Sequence, residues 1–292
     1  MSYLIILGIA ILLGVQTICF KEFNRIYMKN QASYFAFNFC FMAITILVFI
    51  ISGVKVGEYQ WYTILLGIIF GILFIVTILS FMKAMEAGPL SYTTLFNSFG
   101  LVIPVVFGVV VWNEKVSFLQ LMGFALLMLT FYQGSRSTQN PDRKVNFKWL
   151  ILCIIAFICN GSLMSISKWH QSLLPGMEIK EFLLVAFTTA AFLSFAAFLW
   201  YRFVRKQTIT HIKGSKFIII TILAGITTPV GNQLIVQLAG SVPAVILFPL
   251  VNGGIVIIST LGYHMVFREK LSASTLGGLG LGILSLFLIS IK

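Results

Sequence analysis

Long apolar runs separated by short polar stretches dominate the chain. Ten runs can be marked, and each approaches or exceeds the roughly 20 residues that a helix needs to cross a bilayer. They cover about 2–20, 32–51, 61–85, 90–112, 117–134, 149–168, 181–204, 217–239, 243–267 and 272–290. Polar and apolar residues do not alternate with the period of two that is typical of an outer-membrane barrel. The pattern therefore predicts an all-α polytopic membrane protein with ten transmembrane helices.

The longest polar stretch divides the ten predicted helices into five and five. It covers residues 135–148, so the sequence predicts a first unit at 1–134 and a second at 149–292. The two units resemble each other, because residues 111–117 (VWNEKVS) return as residues 266–272 (VFREKLS) 155 positions later. At the same offset Asn97 falls on Asn252, and at an offset of 147 Gly14 and Lys21 fall on Gly161 and Lys168.

An odd number of helices in each unit has a topological consequence. The second unit must enter the membrane in the opposite orientation to the first, which makes the two units inverted repeats. Such repeats are typical of secondary transporters, which bind their substrate near the membrane midplane between the two repeats. The architecture therefore predicts a carrier.

Composition and charge limit the class of protein further. Hydrophobic residues make up 59% of the chain and charged residues only 10%, whereas soluble domains carry roughly 25% charged residues. This excludes a soluble enzyme, a disordered protein and a nucleic-acid binder. The four cysteines lie in apolar runs without metal-ligand spacing, so we expect free thiols. We expect no catalytic residues, no metal site and no cofactor.

The net charge of +12 reflects an uneven distribution of basic residues. The connections that follow the odd-numbered predicted helices, with the helix ends beside them, carry 15 Lys and Arg, and the opposite side carries 5. The positive-inside rule then places both termini outside the cell.

A duplicated motif resembles a known family. Residues 112–117 and 267–272 both read (Trp/Phe)-x-Glu-Lys-x-Ser, and each is followed six residues later by a glycine, Gly123 and Gly278. With the five-plus-five arrangement, this resembles the drug/metabolite transporter superfamily in its ten-helix, EamA-like form. Ala84-Met85-Glu86-Ala87-Gly88 and Pro104 fit the same pattern.

The resemblance implies alternating access and a central cavity lined by the first, third, fourth, sixth, eighth and ninth helices. It implies substrates such as amino acids, sugars, nucleotide derivatives or amphipathic cations. Family members are usually drawn with both termini inside, which disagrees with the charge count. The small multidrug-resistance relatives carry a carboxylate in the first helix, where this sequence has Gly14. That difference argues against their exchange of protons for cations.

Polar residues deep in membrane helices are the candidate binding groups, because an unpaired polar group is costly in hydrocarbon. The candidates for substrate binding are Asn97, Asn252, Asn232, Gln233, Gln16 and Asn160. Their alternative role is to join neighbouring helices by hydrogen bonds. Proline can expose backbone carbonyls inside a membrane helix, and Pro104, Pro229 and Pro249 lie within the fourth, eighth and ninth predicted helices.

No carboxylate lies in the middle of a predicted helix. The candidates for ion coupling are therefore Glu86, near the end of the third helix, and His264, near the end of the ninth. The alternative role of Glu86 is an ion pair with Lys83, three residues earlier in the same helix. Glu114 and Glu269 are expected to begin the fifth and tenth helices, where a carboxylate complements the helix dipole. For these two residues the sequence favours a structural role.

Together these patterns predict a multi-pass protein of a cell membrane, a bacterial cytoplasmic membrane, acting as a monomer or homodimer. Its expected partners are the lipid bilayer and a small polar metabolite such as an amino acid, which it exports or exchanges. The alternatives are efflux of amphipathic cationic drugs, a flippase for a lipid-linked substrate, and a membrane scaffold without transport activity.

Overall fold

The computed structural model describes residues 2–55, 57, 59–87, 90–137, 147–209, 212, 214–267 and 273–291. Within these ranges the secondary structure is helical and contains no β-strand. The helices are α1 (Ser2–Ile26), α2 (Gln31–Ile51), α3 (Trp61–Ala87), α4 (Leu90–Phe99), α5 (Val102–Val110), α6 (Phe118–Ser137), α7 (Phe147–Leu173), α8 (Ile179–Leu199), α9 (Ser215–Ala239), α10 (Ala244–Phe267) and α11 (Ala273–Ser290). One π-helical turn, Trp200–Val204, continues α8.

Seven of the described helices are long and apolar enough to cross a membrane, namely α1, α2, α3, α7, α8 with its π-helical turn, α9 and α10. Shorter apolar helices occupy Leu95–Val110, Phe118–Gln133 and Leu276–Ser290. The structure therefore has the apolar helices that a polytopic membrane protein requires. Seven, rather than the expected ten, meet the length and composition of a membrane span.

The fourth predicted helix is interrupted. It forms two helices, α4 and α5, with a break at Gly100 and Leu101. Pro104 explains the break, because it has no N–H to donate to the carbonyl of Gly100 four residues earlier. The expected linker at 135–148 is shorter at both ends, since α6 continues through Ser137 and α7 begins at Phe147.

Apart from α4 and α5, the two parts of the interrupted helix, successive helices run in opposite directions, which gives the bundle two ends. Both chain termini lie at one of them, where the Tyr3 hydroxyl donates a 2.8 Å hydrogen bond to the carbonyl of Ser290. We call this the terminal end. At the other, which we call the basic end, α1, α3 and α8 finish and α2 and α9 begin. The 15 Lys and Arg counted above lie on that side of the sequence pattern.

The most extensive helix contacts join the first half of the chain to the second. Helix α1 packs against α9 and α10, and α7 packs against α3, α4 and α5. Helix α3 also packs against α8, and α9 packs against α2. The pairs α2 with α8 and α6 with α11 complete the bundle. The helices that enclose its centre therefore come from both halves.

Glycines allow two of these contacts to be very close. A Cβ atom at Gly161 would collide with the carbonyl oxygen of Gly100 and would lie 2.6 Å from Cβ of Ile103. A Cβ atom at Gly14 would lie 2.6 Å from Cγ2 of Ile258. Close approach through glycine is common where membrane helices pack. It brings α7 against the α4–α5 break and α1 against α10.

Candidate functional site

A cavity of 190 Å³ lies between the two halves, near the middle of α1, α3 and α7. Three predicted binding residues line it from three different helices: Asn160 of α7, Asn232 of α9 and Asn252 of α10. Phe70 and Phe74 of α3 form part of the apolar wall. We call this space the central cavity. It combines a few amides with an apolar surface, as small-molecule sites commonly do.

Hydrogen bonds to backbone carbonyls fix the orientation of the three amides. Nδ2 of Asn232 donates to the carbonyl of Thr228 at 2.8 Å, one turn earlier in α9. Nδ2 of Asn252 donates to the carbonyl of Phe248 at 2.9 Å, also within its own helix. Nδ2 of Asn160 donates to a backbone carbonyl of another helix, α4. Because an amide also carries an oxygen acceptor, each side chain retains the capacity to bind a ligand.

Asn160 joins the central cavity to the break between α4 and α5. Its Nδ2 donates a 2.9 Å hydrogen bond to the backbone carbonyl of Asn97, near the end of α4. The backbone N–H of Gly100 donates to the same carbonyl at 3.1 Å. The break that Pro104 causes is thus stabilised by a side chain of the second half. A substrate that displaced the Asn160 amide would act directly on this break.

A larger chamber of 480 Å³ lies beside the central cavity, toward the basic end. Phe74 lines both spaces. Aromatic side chains form much of the chamber wall: Phe20, Tyr34, Phe37, Phe74, Phe81 and Tyr263. We call this space the aromatic chamber. Its lining also contains Lys21, whose Nζ lies 3.7 Å from the centre of the Tyr263 ring.

Asn97 lines the aromatic chamber rather than the central cavity. Its side-chain oxygen Oδ1 is buried and accepts no hydrogen bond from the described residues. Buried polar atoms almost always have a partner, so this acceptor is an exception that a bound donor would explain. Asn97 and Asn252 hold matched positions in the sequence, but the structure places their side chains in neighbouring cavities and does not bring them together.

The two remaining binding candidates lie elsewhere. Gln16 joins helices, since its Nε2 donates a 2.6 Å hydrogen bond to Oγ1 of Thr228 between α1 and α9. Gln233 lines a surface groove of 720 Å³ at the terminal end. Adjacent residues of a helix face different directions, so Asn232 and Gln233 reach different spaces.

Pro229 acts through a backbone carbonyl that a neighbouring helix binds. Pro229 leaves the carbonyl of Gly225 without its helical donor, and Oγ1 of Thr45 on α2 donates to it at 3.2 Å. This hydrogen bond adds to the contact between α2 and α9. Pro249 lies in α10, three residues before Asn252.

The described residues give little support to an ion-coupling site. Glu86 lies in the last turn of α3, and its side chain is outside the described part of the structure. His264 is exposed near the end of α10 and lines neither the central cavity nor the aromatic chamber. Glu269 lies outside the described residues.

The sequence predicted that Glu114 begins the fifth membrane helix, but the corresponding helix, α6, begins at Phe118. Glu114 lies four residues before α6, and its carboxylate instead accepts hydrogen bonds from the backbone N–H groups of Ala244 and Val245, at 2.8 and 3.2 Å. These groups begin α10, so the carboxylate complements the dipole of a different helix. The chain turns back at Asn113, with φ of 51°, and this places Glu114 against α10.

Lys168 is a residue that the sequence reasoning missed. Its Nζ lies 2.6 Å from the Glu114 carboxylate, with both side chains largely buried, and it donates to the carbonyl of Val242 at 3.1 Å. A lysine inside an apolar run needs a partner, and that requirement is the signal that could have identified it. The buried pair joins the second half to the first at the terminal end.

Comparisons with known proteins support the fold but give no information on function. No protein-family profile and no curated protein matches the sequence. The chain is similar to a solved crystal structure of a protein, described no further, with a TM-score of 0.76. The match covers 99% of this chain and 96% of the other at 13% identity. At that identity the likeness shows a shared fold and nothing about function.

Proposed function

We propose that the protein is a secondary transporter of the drug/metabolite transporter superfamily in its ten-helix, EamA-like form. It moves a small polar metabolite, such as an amino acid, across the bacterial cytoplasmic membrane by alternating access. The observation that carries this proposal is the central cavity, where Asn160, Asn232 and Asn252 meet between the two halves.

Paired contacts support two inverted repeats of five membrane-crossing helices. Gly14 contacts Ile258, and Gly161 contacts Ile103. The two glycines are matched at the sequence offset of 147, and the two isoleucines are matched at 155. The same contact therefore occurs once between α1 and α10 and once between α7 and α5. A pseudo-twofold axis in the membrane plane relates such contacts in inverted repeats.

The lining of the two cavities favours a substrate with both hydrogen-bond donors and an apolar part. Oδ1 of Asn97 is a buried acceptor that an ammonium or amide N–H of the substrate would satisfy. The aromatic chamber offers ring faces for an apolar part, and its one charged lining residue among those described is Lys21. A zwitterionic amino acid fits this lining better than an amphipathic cation, for which no carboxylate is present in the described lining.

The contacts at the terminal end suggest how access alternates. The Glu114–Lys168 pair and the hydrogen bonds from α10 to Glu114 close the space between the halves there. The aromatic chamber extends from the central cavity in the other direction. By the positive-inside rule the basic end lies in the cytoplasm. The described arrangement then gives access from the cytoplasm, and separating Glu114 from Lys168 opens the outer side.

The first test is a thermal-stability screen of the purified protein in detergent. The panel contains amino acids, sugars, nucleosides and quaternary ammonium ions. A ligand present at about 100 times its Kd stabilises by about 2.7 kcal/mol, which is readily measured. We expect an amino acid to raise the Tm of the wild type and to have no effect on the variant Asn97→Ala/Asn252→Ala. Counterflow of the same amino acid into proteoliposomes then tests transport.

The matched control is Asn113→Gly, which removes an exposed amide at a position with φ of 51° that glycine adopts without strain. It should respond to the ligand as the wild type does. If only quaternary ammonium ions raise the Tm, the substrate is an amphipathic cationic drug and not a small polar metabolite. If no compound in the panel shifts the Tm, the proposed metabolite site is rejected in favour of a lipid-linked substrate or a scaffold.

A further inference from the structure

A groove of 570 Å³ at the basic end is separate from both cavities described above. It lies where the connection between α1 and α2, the end of α3 and the segment after α8 meet. Three cationic side chains line it, one from each of these parts: Lys29, Lys83 and Arg205. Asn30 and Gln207 are among its polar lining residues. We call it the basic groove.

The charge of the basic groove is not balanced within the described part of the protein. No carboxylate is among its described lining residues. Neither an ion pair nor a hydrogen bond involves the side chains of Lys29, Lys83 and Arg205 there. Other cations have partners, since Arg25 and Lys216 both pair with Glu22. Three like charges that share one groove repel each other, and a bound anion removes that repulsion.

The backbone around the groove is held in place by specific hydrogen bonds. Asn30 caps α2 by accepting from the N–H of Ser33 at 2.9 Å, and its Nδ2 donates to the carbonyl of Thr208 at 2.7 Å. Oε1 of Gln207 accepts from the N–H of Ala32 at 2.9 Å. The segment that carries Arg205 is thereby fixed to the first turn of α2.

Two further features of the backbone favour an anion. The N-terminus of α2 (Gln31–Ile51) lies at the groove, and its dipole adds partial positive charge. The π-helical turn Trp200–Val204 ends α8 and is followed by Lys206 with φ of 52°. Single π-turns occur frequently at functional sites. This irregular ending folds the chain back, so that Arg205 faces the same groove as Lys29 and Lys83.

We propose that the basic groove binds a phosphate group, either in the headgroup of an anionic phospholipid or in a free phosphate. Lysine and arginine side chains commonly bind phosphate oxygens. Basic sites on the cytoplasmic side of membrane proteins attract anionic headgroups, and the basic end faces the cytoplasm under the positive-inside rule. The positive-inside rule accounts for basic residues anywhere in the cytoplasmic loops. It does not require them to share a site, whereas here cations from three separate parts of the chain line one groove.

The test uses the full-length protein and two probes. Binding of phosphatidylglycerol is counted by native mass spectrometry, with phosphatidylcholine as the zwitterionic reference. Inorganic phosphate is tested by thermal shift against chloride at equal ionic strength. The variant Lys29→Gln/Lys83→Gln/Arg205→Gln should lose about 100-fold in affinity, and each single variant about fivefold, because each surface cation contributes about a factor of five. Arg205→Lys, which keeps the charge, should retain most of the affinity.

The matched control is Lys55→Gln/Lys115→Gln/Lys148→Gln, which lowers the net charge equally at exposed lysines outside the groove. Its affinity should change by less than about threefold, because its cations lie away from the bound group. Binding of phosphatidylglycerol alone identifies a lipid headgroup, and binding of inorganic phosphate as well identifies a site open to free phosphate. Equal losses in the two triple variants, or no binding of either probe by the wild type, would overturn the proposal.

Discussion

The two ends of the space between the halves are built from different interactions. At the terminal end one buried carboxylate, Glu114, binds both Lys168 and the first amides of α10. Toward the basic end lies the aromatic chamber, whose described wall contains six aromatic rings. Ring contacts are individually weak and numerous, whereas a buried ion pair is lost as a whole when one partner is removed. Single substitutions should therefore have larger effects at the terminal end.

A second, more exposed layer of polar contacts also joins the halves at the terminal end. Carboxylate oxygens of Glu178 and Glu181, from the connection between α7 and α8 and the start of α8, accept from the backbone N–H groups of Gln60 and Lys55, each at 3.1 Å. Lys180 donates to the carbonyl of Ser52 at 2.7 Å. Exposed polar contacts of this kind usually contribute little. We therefore assign most of the strength of this end to Glu114 and Lys168.

The largest effect is expected for Glu114→Gln. The variant leaves the Lys168 ammonium buried without its carboxylate, and breaking a buried pair in this way costs about 3–5 kcal/mol. The measurement is thermal or denaturant unfolding of the purified protein in detergent. A fall in stability of this size at one position would show that a single buried pair stabilises the contact between the halves at the terminal end.

The double variant Glu114→Gln/Lys168→Met separates the charge from the remaining contacts. Since methionine removes the unpaired ammonium but keeps an unbranched side chain, most of the lost stability should return. A double variant as unstable as Glu114→Gln would mean that the hydrogen bonds from Ala244 and Val245, rather than the ion pair, carry the contact.

A smaller effect is expected midway between the ends, at Gly161→Ala. The added methyl group would meet the carbonyl of Gly100, which is backbone and cannot move aside, and overpacking of this kind costs about 1–3 kcal/mol. The matched Gly14→Ala should cost less, because its nearest atom is a side-chain methyl of Ile258. Unfolding of both variants measures the difference.

Gly8→Ala provides the control for these two substitutions, since a Cβ atom added at Gly8 meets no other helix or side chain within 4 Å. It should raise stability slightly, by about 0.5–1 kcal/mol, because alanine favours the helix over glycine. Equal losses at Gly161 and Gly14 would contradict the different environments described for the two contacts.

Much of the fold could be predicted from the sequence because apolar runs specify helices directly. The helix positions agree with the runs to within a few residues, except that α1 continues to Ile26. The interruption near Gly100 was not predicted, although Pro104 was noted. A proline removes one hydrogen bond, and the sequence alone does not tell whether the helix bends or breaks there. Here Asn160 stabilises the broken form by donating a hydrogen bond to the carbonyl of Asn97, which the N–H of Gly100 also binds.

The sequence predicted which residues line the candidate site better than it predicted how their side chains are arranged. The cost of polar groups in an apolar run singled out Asn160, Asn232 and Asn252, which line one cavity. The repeat in the sequence matched Asn97 with Asn252, but their side chains line neighbouring spaces. Which face a residue presents depends on helix rotation and crossing, and these follow from packing between distant segments that the sequence pattern does not encode.

The smallest effect is expected for Glu181→Gln, in the exposed layer of the terminal end. Glutamine keeps an oxygen that can accept from the N–H of Lys55, and exposed charge contacts contribute at most about 1 kcal/mol. Unfolding measured at low and at high salt should give nearly the same stability for this variant and the wild type, since salt screens the charge that the substitution removes. A loss as large as that of Glu114→Gln would mean that the exposed contact of Glu181 with Lys55 holds the halves together as strongly as the buried pair does.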